Sequence, residues 1–398
     1  MRILHTADWH LGKTLEGRSR LSEQADVLDE LNMIVKEEQI DAIVMAGDAF
    51  DTVNPPALAE QLFYESLSAL SDRGKRPIVV IAGNHDNPDR LSAASPLTHE
   101  NGIYLIGYPT TEPLHIEVPS AGELLAVGAL AYPSEARLNE VLSDTFDEKL
   151  LRDHYDVKIR QAFEHMTSRF RKDAVKVAAS HIYVAGGNQT DSERPIEVGG
   201  AYTVAAESLP ADAAYVALGH LHRPQTIKRA RTLARYSGSP LAYSFSEAGY
   251  AKSVTIVDAK PGEEASWREV LLSSGKPLVK WKAANGLSEV YSWLDEGRDQ
   301  NAWIDLEIRV SDQLSLEEIH RLRKAHPGFI HIRPVFEEQN KDRERIEVKH
   351  VSIEDRFKKF YEKQTGGAVP DEEMVKLFLE LASGVEEEDA NEADRLKH

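Results

Sequence analysis

Ile3-Leu4-His5-Thr6-Ala7-Asp8-Trp9-His10 opens the chain with a short apolar run that ends in a small residue and then in two metal-ligand side chains. Four later stretches repeat the arrangement. Ala42 to Gly47 leads into Asp48, Pro77 to Gly83 into Asn84-His85-Asp86, Val175 to Ser180 into His181, and Tyr215 to Gly219 into His220-Leu221-His222. Val/Ile-rich runs of this length bounded by glycine read as buried strands. In open α/β sheets, ligands bind just past the carboxyl ends of strands. Asp8, His10, Asp48, Asn84, His181, His220 and His222 are therefore expected to converge on one sheet edge. Such oxygen and imidazole groups, without sulfur, suit a pair of divalent cations. A lone histidine after a strand is ordinarily capped or solvated, and a lone aspartate ordinarily caps a helix or turn. The five strand ends taken together carry the reading.

Composition narrows the class. A chain of 398 residues with 41% hydrophobic content has room for two or three domains with real cores. The absence of cysteine excludes disulfides and thiolate metal sites, and fits a reducing cytoplasm. The N-terminus enters a strand at once, so no signal peptide is expected. No apolar run approaches about 18 residues, so no membrane span is expected. A net charge of −19 argues against a protein that coats nucleic acid with its whole surface. Part of that charge lies in an acidic tail, from Glu386 onward.

Strands alternate with helical patterns in the first stretch. Leu21, Ala25, Leu28, Leu31 and Val35 form one stripe, and Leu62, Phe63, Leu67 and Leu70 another. Strand, ligand loop, helix, strand is the logic of a right-handed crossover. Short strands follow over 103–132, helices over 135–171, and short strands again after His222. The pattern shifts near Gly275-Lys276-Pro277. A helix over 287–294, a strand over 303–310, a helix over 316–324 and a strand over 330–336 make a small α+β unit. Two further helical stripes come last: Ile353, Phe357, Phe360 and Tyr361, then Met374, Leu377, Phe378 and Leu381. Their apolar faces read as a partner-docking surface. The chain has no Gly-x-x-x-x-Gly-Lys-Ser/Thr loop, so it carries no phosphate-cradling ATP site of that kind.

Asp8-x-His10, Gly47-Asp48-x-x-Asp51, Gly83-Asn84-His85-Asp86, His181 and Gly219-His220-x-His222 together resemble the calcineurin-like metallophosphoesterases, over roughly residues 1 to 250. The wording His5-Thr6-Ala7-Asp8-Trp9-His10-Leu11-Gly12 and Ala46-Gly47-Asp48-Ala49-Phe50-Asp51 resembles, within that superfamily, the nuclease subunits that act in DNA double-strand-break repair. Tyr236-Ser237-Gly238-Ser239-Pro240 with Ser244-Phe245 is similar to the same branch.

The resemblance implies a two-sheet sandwich flanked by helices, with a small α+β capping domain and C-terminal helices. The expected division is 1–272 nuclease domain, 277–345 cap, 350–382 partner-binding helices and 383–398 disordered acidic tail. It implies one cation on Asp8, His10 and His222 and another on Asn84, His181 and His220. Asp48, central in the ligand order, is the natural bridge. Mixed nitrogen and oxygen ligands favour Mn²⁺, with Fe²⁺ or Mg²⁺ as alternatives. His85 is expected to protonate the leaving sugar oxygen. Asp86 is expected to orient His85, and Asp51 a ligand or a water. Lys13, Arg18, Arg20, Arg90 and Arg223 are candidate DNA-phosphate contacts.

The implied activity is Mn²⁺-dependent 3′→5′ exonuclease action on duplex ends and endonuclease cleavage at hairpins, in DNA repair and recombination. The implied partner is an ATPase with a coiled coil, the whole being a heterotetramer around a homodimer of this chain. A small-molecule phosphodiesterase or phosphatase and a non-catalytic scaffold of the same fold are the competing expectations.

Overall fold

The computed structural model describes residues 1–143, 155–193, 202–311, 313–336, 352–364 and 369–379. The chain begins with β1 (Arg2–Thr6), the short pair β2 (Thr14–Leu15) and β3 (Arg18–Ser19), α1 (Leu21–Glu37), β4 (Ala42–Ala46), α2 (Ala57–Ser71) and β5 (Ile78–Ile81). Next come α3 (Pro88–Ser92), α4 (Ser95–Thr98), β6 (Ile103–Ile106), β7 (Leu114–Val118), β8 (Glu123–Leu130), α5 (Glu135–Ser143) and α6 (Tyr155–Ser168). They are followed by β9 (Ala174–His181), β10 (Tyr215–Gly219), β11 (Gln225–Thr226), β12 (Ala234–Tyr236), β13 (Ser253–Asp258) and β14 (Ser266–Leu271). The last described stretch carries β15 (Leu278–Ala283), α7 (Leu287–Asp295), β16 (Trp303–Val310), α8 (Leu316–Ala325), β17 (Phe329–Phe336) and α9 (Ile353–Gln364).

Among the described residues, two sheets in the orders β14-β13-β1-β4-β5-β6 and β11-β12-β10-β9-β8-β7 form the body. Ile3, Val44 and Val79 of one sheet and Val127, Val177 and Ala217 of the other share one apolar cluster. Helix α1 covers the first sheet with Leu28, Leu31 and Val35 of the expected stripe and with Ile34, whereas Leu21 and Ala25 are only half-buried and Val27 packs with Leu241 and Tyr243. Helix α6 covers the second with Ile159, Phe163 and Met166. Strands β1, β4, β5 and β6 run parallel, as do β8, β9, β10 and β12. Their carboxyl ends therefore share an edge.

The residues divide into two compact units, 1–336 and 337–398. Within the first, β15, β16 and β17 are parallel, alternate with α7 and α8, and hold their own cluster around Trp281, Leu306, Leu322 and Phe329. The segment leading to β15 is stitched to α1 by two carboxylates. Glu30 accepts the N–H groups of Ser273 and Ser274, each at 2.8 Å. Glu23 accepts Lys276 N–H at 2.8 Å, the Trp303 indole at 2.9 Å and the Arg20 guanidinium at 2.7 Å. Leu15, Phe245, Leu278, Trp303 and Ile330 close the junction with apolar contact. In the second unit, residues 372–379 are helical and Phe378 stacks on Phe357 of α9, centroids 4.1 Å apart. Residues 337–351 and the acidic tail lie outside the described residues. No helix of the described residues is long and apolar enough to cross a membrane.

Burial pushes the Glu23 carboxyl up, but Arg20, Lys276 N–H and the Trp303 indole outweigh it and hold the group below the usual glutamate range. Its stabilising share is therefore complete above the unfolded pKa of about 4.3 and is lost as pH falls through the lower folded value. Glu23→Gln leaves a buried guanidinium unpaired, which costs about 3–5 kcal/mol. We expect a clear drop in Tm at pH 7 that shrinks as the pH falls below 4, read by thermal unfolding across that range.

Candidate metal centre

Each strand end delivers its side chain through a tight turn. The loop after β1 is zipped to the loop after β4: Asp8 N–H donates to Gly47 C=O at 2.9 Å, His10 N–H to Asp48 C=O at 3.0 Å, and Leu11 N–H to Ala49 C=O at 2.9 Å. Asp8, His10 and Asp48 sit at φ of 55°, 46° and 52°, backbone that L-residues seldom adopt. Such strain gathers at functional sites and persists only where the surroundings hold it. Two glycines make the convergence possible. A Cβ at Gly83 would lie 2.1 Å from Asp48 Oδ1, and one at Gly219 would lie 1.7 Å from the Ala46 carbonyl.

The structure brings all seven expected ligand residues to this edge. Asp8, His10 and His222 offer ligand atoms within 4.8 Å of one another, as do Asp8, Asp48 and His181. The Nε2 atoms of His10 and His222 face each other at 3.0 Å. Asp48 Oδ2 lies 3.5 Å from His10 Nε2 and 3.4 Å from His181 Nε2. His181 Nε2 also meets Asn84 Oδ1 at 2.9 Å, while its Nδ1–H donates to Ala46 C=O at 2.9 Å. The His220 N–H donates to Asp8 Oδ1 at 3.0 Å, and the ring packs 5.5 Å from His181. Among the described residues, His220 Nε2 is buried with no hydrogen-bond partner. Buried polar atoms are nearly always satisfied, so an orphaned imidazole nitrogen beside facing carboxylates fits a cation.

The electrostatics fit at two of the rings, while at His181 burial is outweighed by Asp48 and Asp8, which raise it to about 9, so a cation there would displace a proton. Burial drives His10 down to about 3 and holds His220 well below its ordinary value. Both rings are then neutral near pH 7, the state with a lone pair for a cation. Burial pushes Asp8 up to about 7. It pushes Asp48 the same way, but His181, His10 and His85 outweigh it and hold Asp48 well below the carboxylate range.

The remaining expectations separate. His85 donates its N–H to Asp48 Oδ1 at 2.9 Å, and its Nδ1 meets the Asp51 carbonyl at 2.7 Å. Asp86, expected to orient His85, makes its hydrogen bonds to backbone instead. Its carboxylate accepts N–H groups from Ala49 at 3.1 Å, Phe50 at 2.9 Å and Gly83 at 2.8 Å, clamping the β4 and β5 loops together. Asp51 joins Lys13 Nζ at 2.8 Å and lies 3.5 Å from His10 Nδ1.

Arg20 is not a DNA contact: its guanidinium is buried on Glu23 and the Ala242 carbonyl. Arg18 is committed as well, to the Pro327 and Phe329 carbonyls and the Trp303 ring. Arg90 is exposed and pairs with Glu60 at 2.8 Å, and exposed Arg223 lies over Tyr250. In the second unit, Phe357 and Phe378 are spent on each other, with Tyr361 beside Phe357. Phe360, Met374 and Leu377 stay exposed. Leu381 lies outside the described residues.

Sequence reading missed a ring of supporting groups. Ser192 Oγ meets His222 Nδ1 at 2.7 Å, Glu193 accepts His222 N–H at 2.8 Å, and Lys252 donates to His222 C=O at 3.0 Å. The one legible signal was Ser244-Phe245-Ser246-Glu247, a capping box whose Glu247 pairs with Lys252.

Residues 1–224 match the family described as calcineurin-like phosphoesterase, and residues 274–365 match the one described as Type 5 capsule protein repressor C-terminal domain. A Bacillus subtilis (strain 168) protein, named as the SbcD component of the nuclease SbcCD, is 98% identical over 390 residues, 98% of this chain and 100% of that one. This chain belongs to the SbcD family of calcineurin-like phosphoesterases. SbcD proteins of the same name from Rhodobacter capsulatus and Staphylococcus epidermidis are 35% and 29% identical, over 74% and 92% of this chain and 75% and 94% of theirs.

Asp86→Asn tests the clamp. An amide offers one acceptor oxygen where the carboxylate offers two, so we expect a loss of about 1–3 kcal/mol of stability. Metal binding should loosen, with no change in the pH dependence of the remaining activity. Full stability with a displaced pH–rate profile would instead place Asp86 in proton transfer.

Proposed function

We propose that the chain is a metal-dependent DNA nuclease that hydrolyses phosphodiesters with two cations, most suitably Mn²⁺. The observation that carries this is Asp48, a fully buried carboxylate with His10 on one side and His181 on the other. Asp8, His10 and His222 would hold one cation, and Asn84, His181 and His220 the other, with Asp48 shared. When bound, such a pair stabilises charge on the phosphate and acidifies water.

The protein's own part is positioning and proton transfer. His85 has one ring nitrogen tied to the Asp51 carbonyl. Its Nε2 is then the end that passes a proton to the leaving sugar oxygen. A cleft of about 460 Å³, where Lys13, Lys280, His331 and Arg333 alternate with Glu16, Asp191 and Asp305, is the proposed path for the strand beside the site. Arg90 and Arg223 are the exposed candidates for phosphate contact.

The names of the SbcCD relatives support a nuclease that works in a complex with an SbcC-like subunit. The resemblance of the sequence motifs extends the proposal to a coiled-coil ATPase partner and to action 3′→5′ on duplex ends and on hairpins in repair and recombination. A homodimer within a heterotetramer, in the cytoplasm, completes the reading. The exposed Phe360, Met374 and Leu377 are the proposed docking face.

Incubation of the purified chain with linear duplex DNA and a nitrophenyl phosphodiester, with and without Mn²⁺, tests the activity. Both substrates should be cleaved only with metal. Asp48→Ala should lose both ions and all turnover. His85→Ala should keep both ions and lose about 10²–10⁴-fold in rate. Cleavage of the small diester alone, even with the ATPase present, would point to a small-molecule phosphodiesterase, and no cleavage at all to a scaffold. A Phe360→Glu, Leu377→Glu double variant should cleave the diester normally and fail to co-purify with the ATPase.

A further inference from the structure

His10 occupies left-handed backbone at φ 46° on a loop without regular structure. Backbone bonds to the β4 loop and the Lys13 N–H on its carbonyl, at 2.9 Å, hold part of it, and one buried amide adds two side-chain contacts. Gln24, on the first turn of α1, accepts the Gly12 N–H on Oε1 at 3.0 Å and donates from Nε2 to the His10 carbonyl at 2.8 Å. The reverse amide orientation would set N–H against N–H and carbonyl against carbonyl, so both bonds fix the side chain. The same Nε2 lies 3.4 Å from the Tyr243 hydroxyl, which donates in turn to the Trp9 carbonyl. The Tyr243 ring stands edge-on to His10 and to His222, with centroids 5.5 and 6.0 Å away. Two side chains thus grip residues 9, 10 and 12 of the ligand loop and brace both imidazoles of one cluster.

The residue beside Gln24 ties the same helical turn elsewhere. Glu23 holds the Trp303 indole at 2.9 Å, the first residue of β16. Neither Gln24 nor Trp303 belongs to the ligand set.

We propose that Gln24 is a positioning residue that sets how tightly the Asp8–His10–His222 cluster holds its cation, and that Trp303 bears on that affinity through the same turn of α1. The inference rests on the reading of that cluster as a metal site. Groups that orient ligands from outside the coordination sphere are worth about 10–100-fold in metal affinity.

The test is Mn²⁺ binding to the full chain by equilibrium dialysis and electron paramagnetic resonance, with thermal unfolding of each variant. Gln24→Met keeps the packing and removes both hydrogen bonds. It should weaken one of two Mn²⁺ sites by about 10–100-fold and leave the other unchanged. Trp303→Phe keeps the ring and removes the indole donor. It should weaken the same site by up to about 10-fold. The double variant should bind no more weakly than Gln24→Met alone, because both act through one turn.

Equal weakening of both sites, or none, overturns the role of Gln24. A Trp303→Phe chain with unaltered affinity, or an effect that adds in full to that of Gln24→Met, overturns the link to Trp303. If Gln24→Met does not fold, Gln24→Glu decides, since it keeps an acceptor for Gly12 and loses the donor to His10. The same single-site loss supports the proposal and unchanged binding refutes it. A wild-type chain that binds no ion at this cluster overturns the metal reading first and this inference with it.

Discussion

Asp48 is a carboxylate taken out of water and set between two imidazoles, 3.5 Å from His10 and 3.4 Å from His181. A buried charge of this kind is costly unless it is paired and hydrogen-bonded. The surroundings are arranged to meet that cost. His85 supplies a backbone N–H, and Gly83 supplies room that any Cβ would fill. Asp8 stands on the far side of His181, 3.9 Å from its Nδ1, so the two carboxylates share one ring between them. Cations are the natural partners for such an arrangement of facing oxygens and imidazole nitrogens.

The sandwich exists to bring that arrangement about. Parallel strands in both sheets put five carboxyl ends on one edge, and the apolar contacts between the sheets hold the two rows of ends in register. The final adjustment is local. The loops after β1 and β4 are zipped together by backbone bonds and the β4 and β5 loops are clamped by Asp86. His222 is held from three sides by Ser192, Glu193 and Lys252. Left-handed backbone at Asp8, His10 and Asp48 costs of order 1–3 kcal/mol each and needs these contacts to persist. Glu23 and Glu30 add a second connection, from α1 to the segment that leads into β15.

Much of this was legible in the sequence. Strands announced themselves by Val/Ile runs stopped by glycine, and the ligands by residue type at the stops. What failed was everything decided by a partner far along the chain. Arg20 reads as a surface cation beside a ligand loop, but its guanidinium is taken by Glu23 and by a carbonyl more than 200 residues away. Asp86 reads as the partner of its neighbour His85, yet the β5 turn aims it at N–H groups of the β4 loop. Gln24 carries no signal at all in a helical stripe. Phe357 and Phe378 read as parts of two open faces, and only the stacking of their rings shows that they cover each other. Strand β15 went unnoticed because Leu278, Trp281 and Ala283 do not alternate cleanly.

The central claim is that Asp48 is shared by two cations at one edge of the sandwich. Anomalous scattering from crystals soaked in Mn²⁺ addresses it directly. Two peaks are predicted, one among Asp8, His10 and His222 and one among Asn84, His181 and His220, with Asp48 touching both. A single peak, or a peak seated instead among His10, Asp51 and His85, where ligand atoms also lie within 4.8 Å of one another, would contradict it.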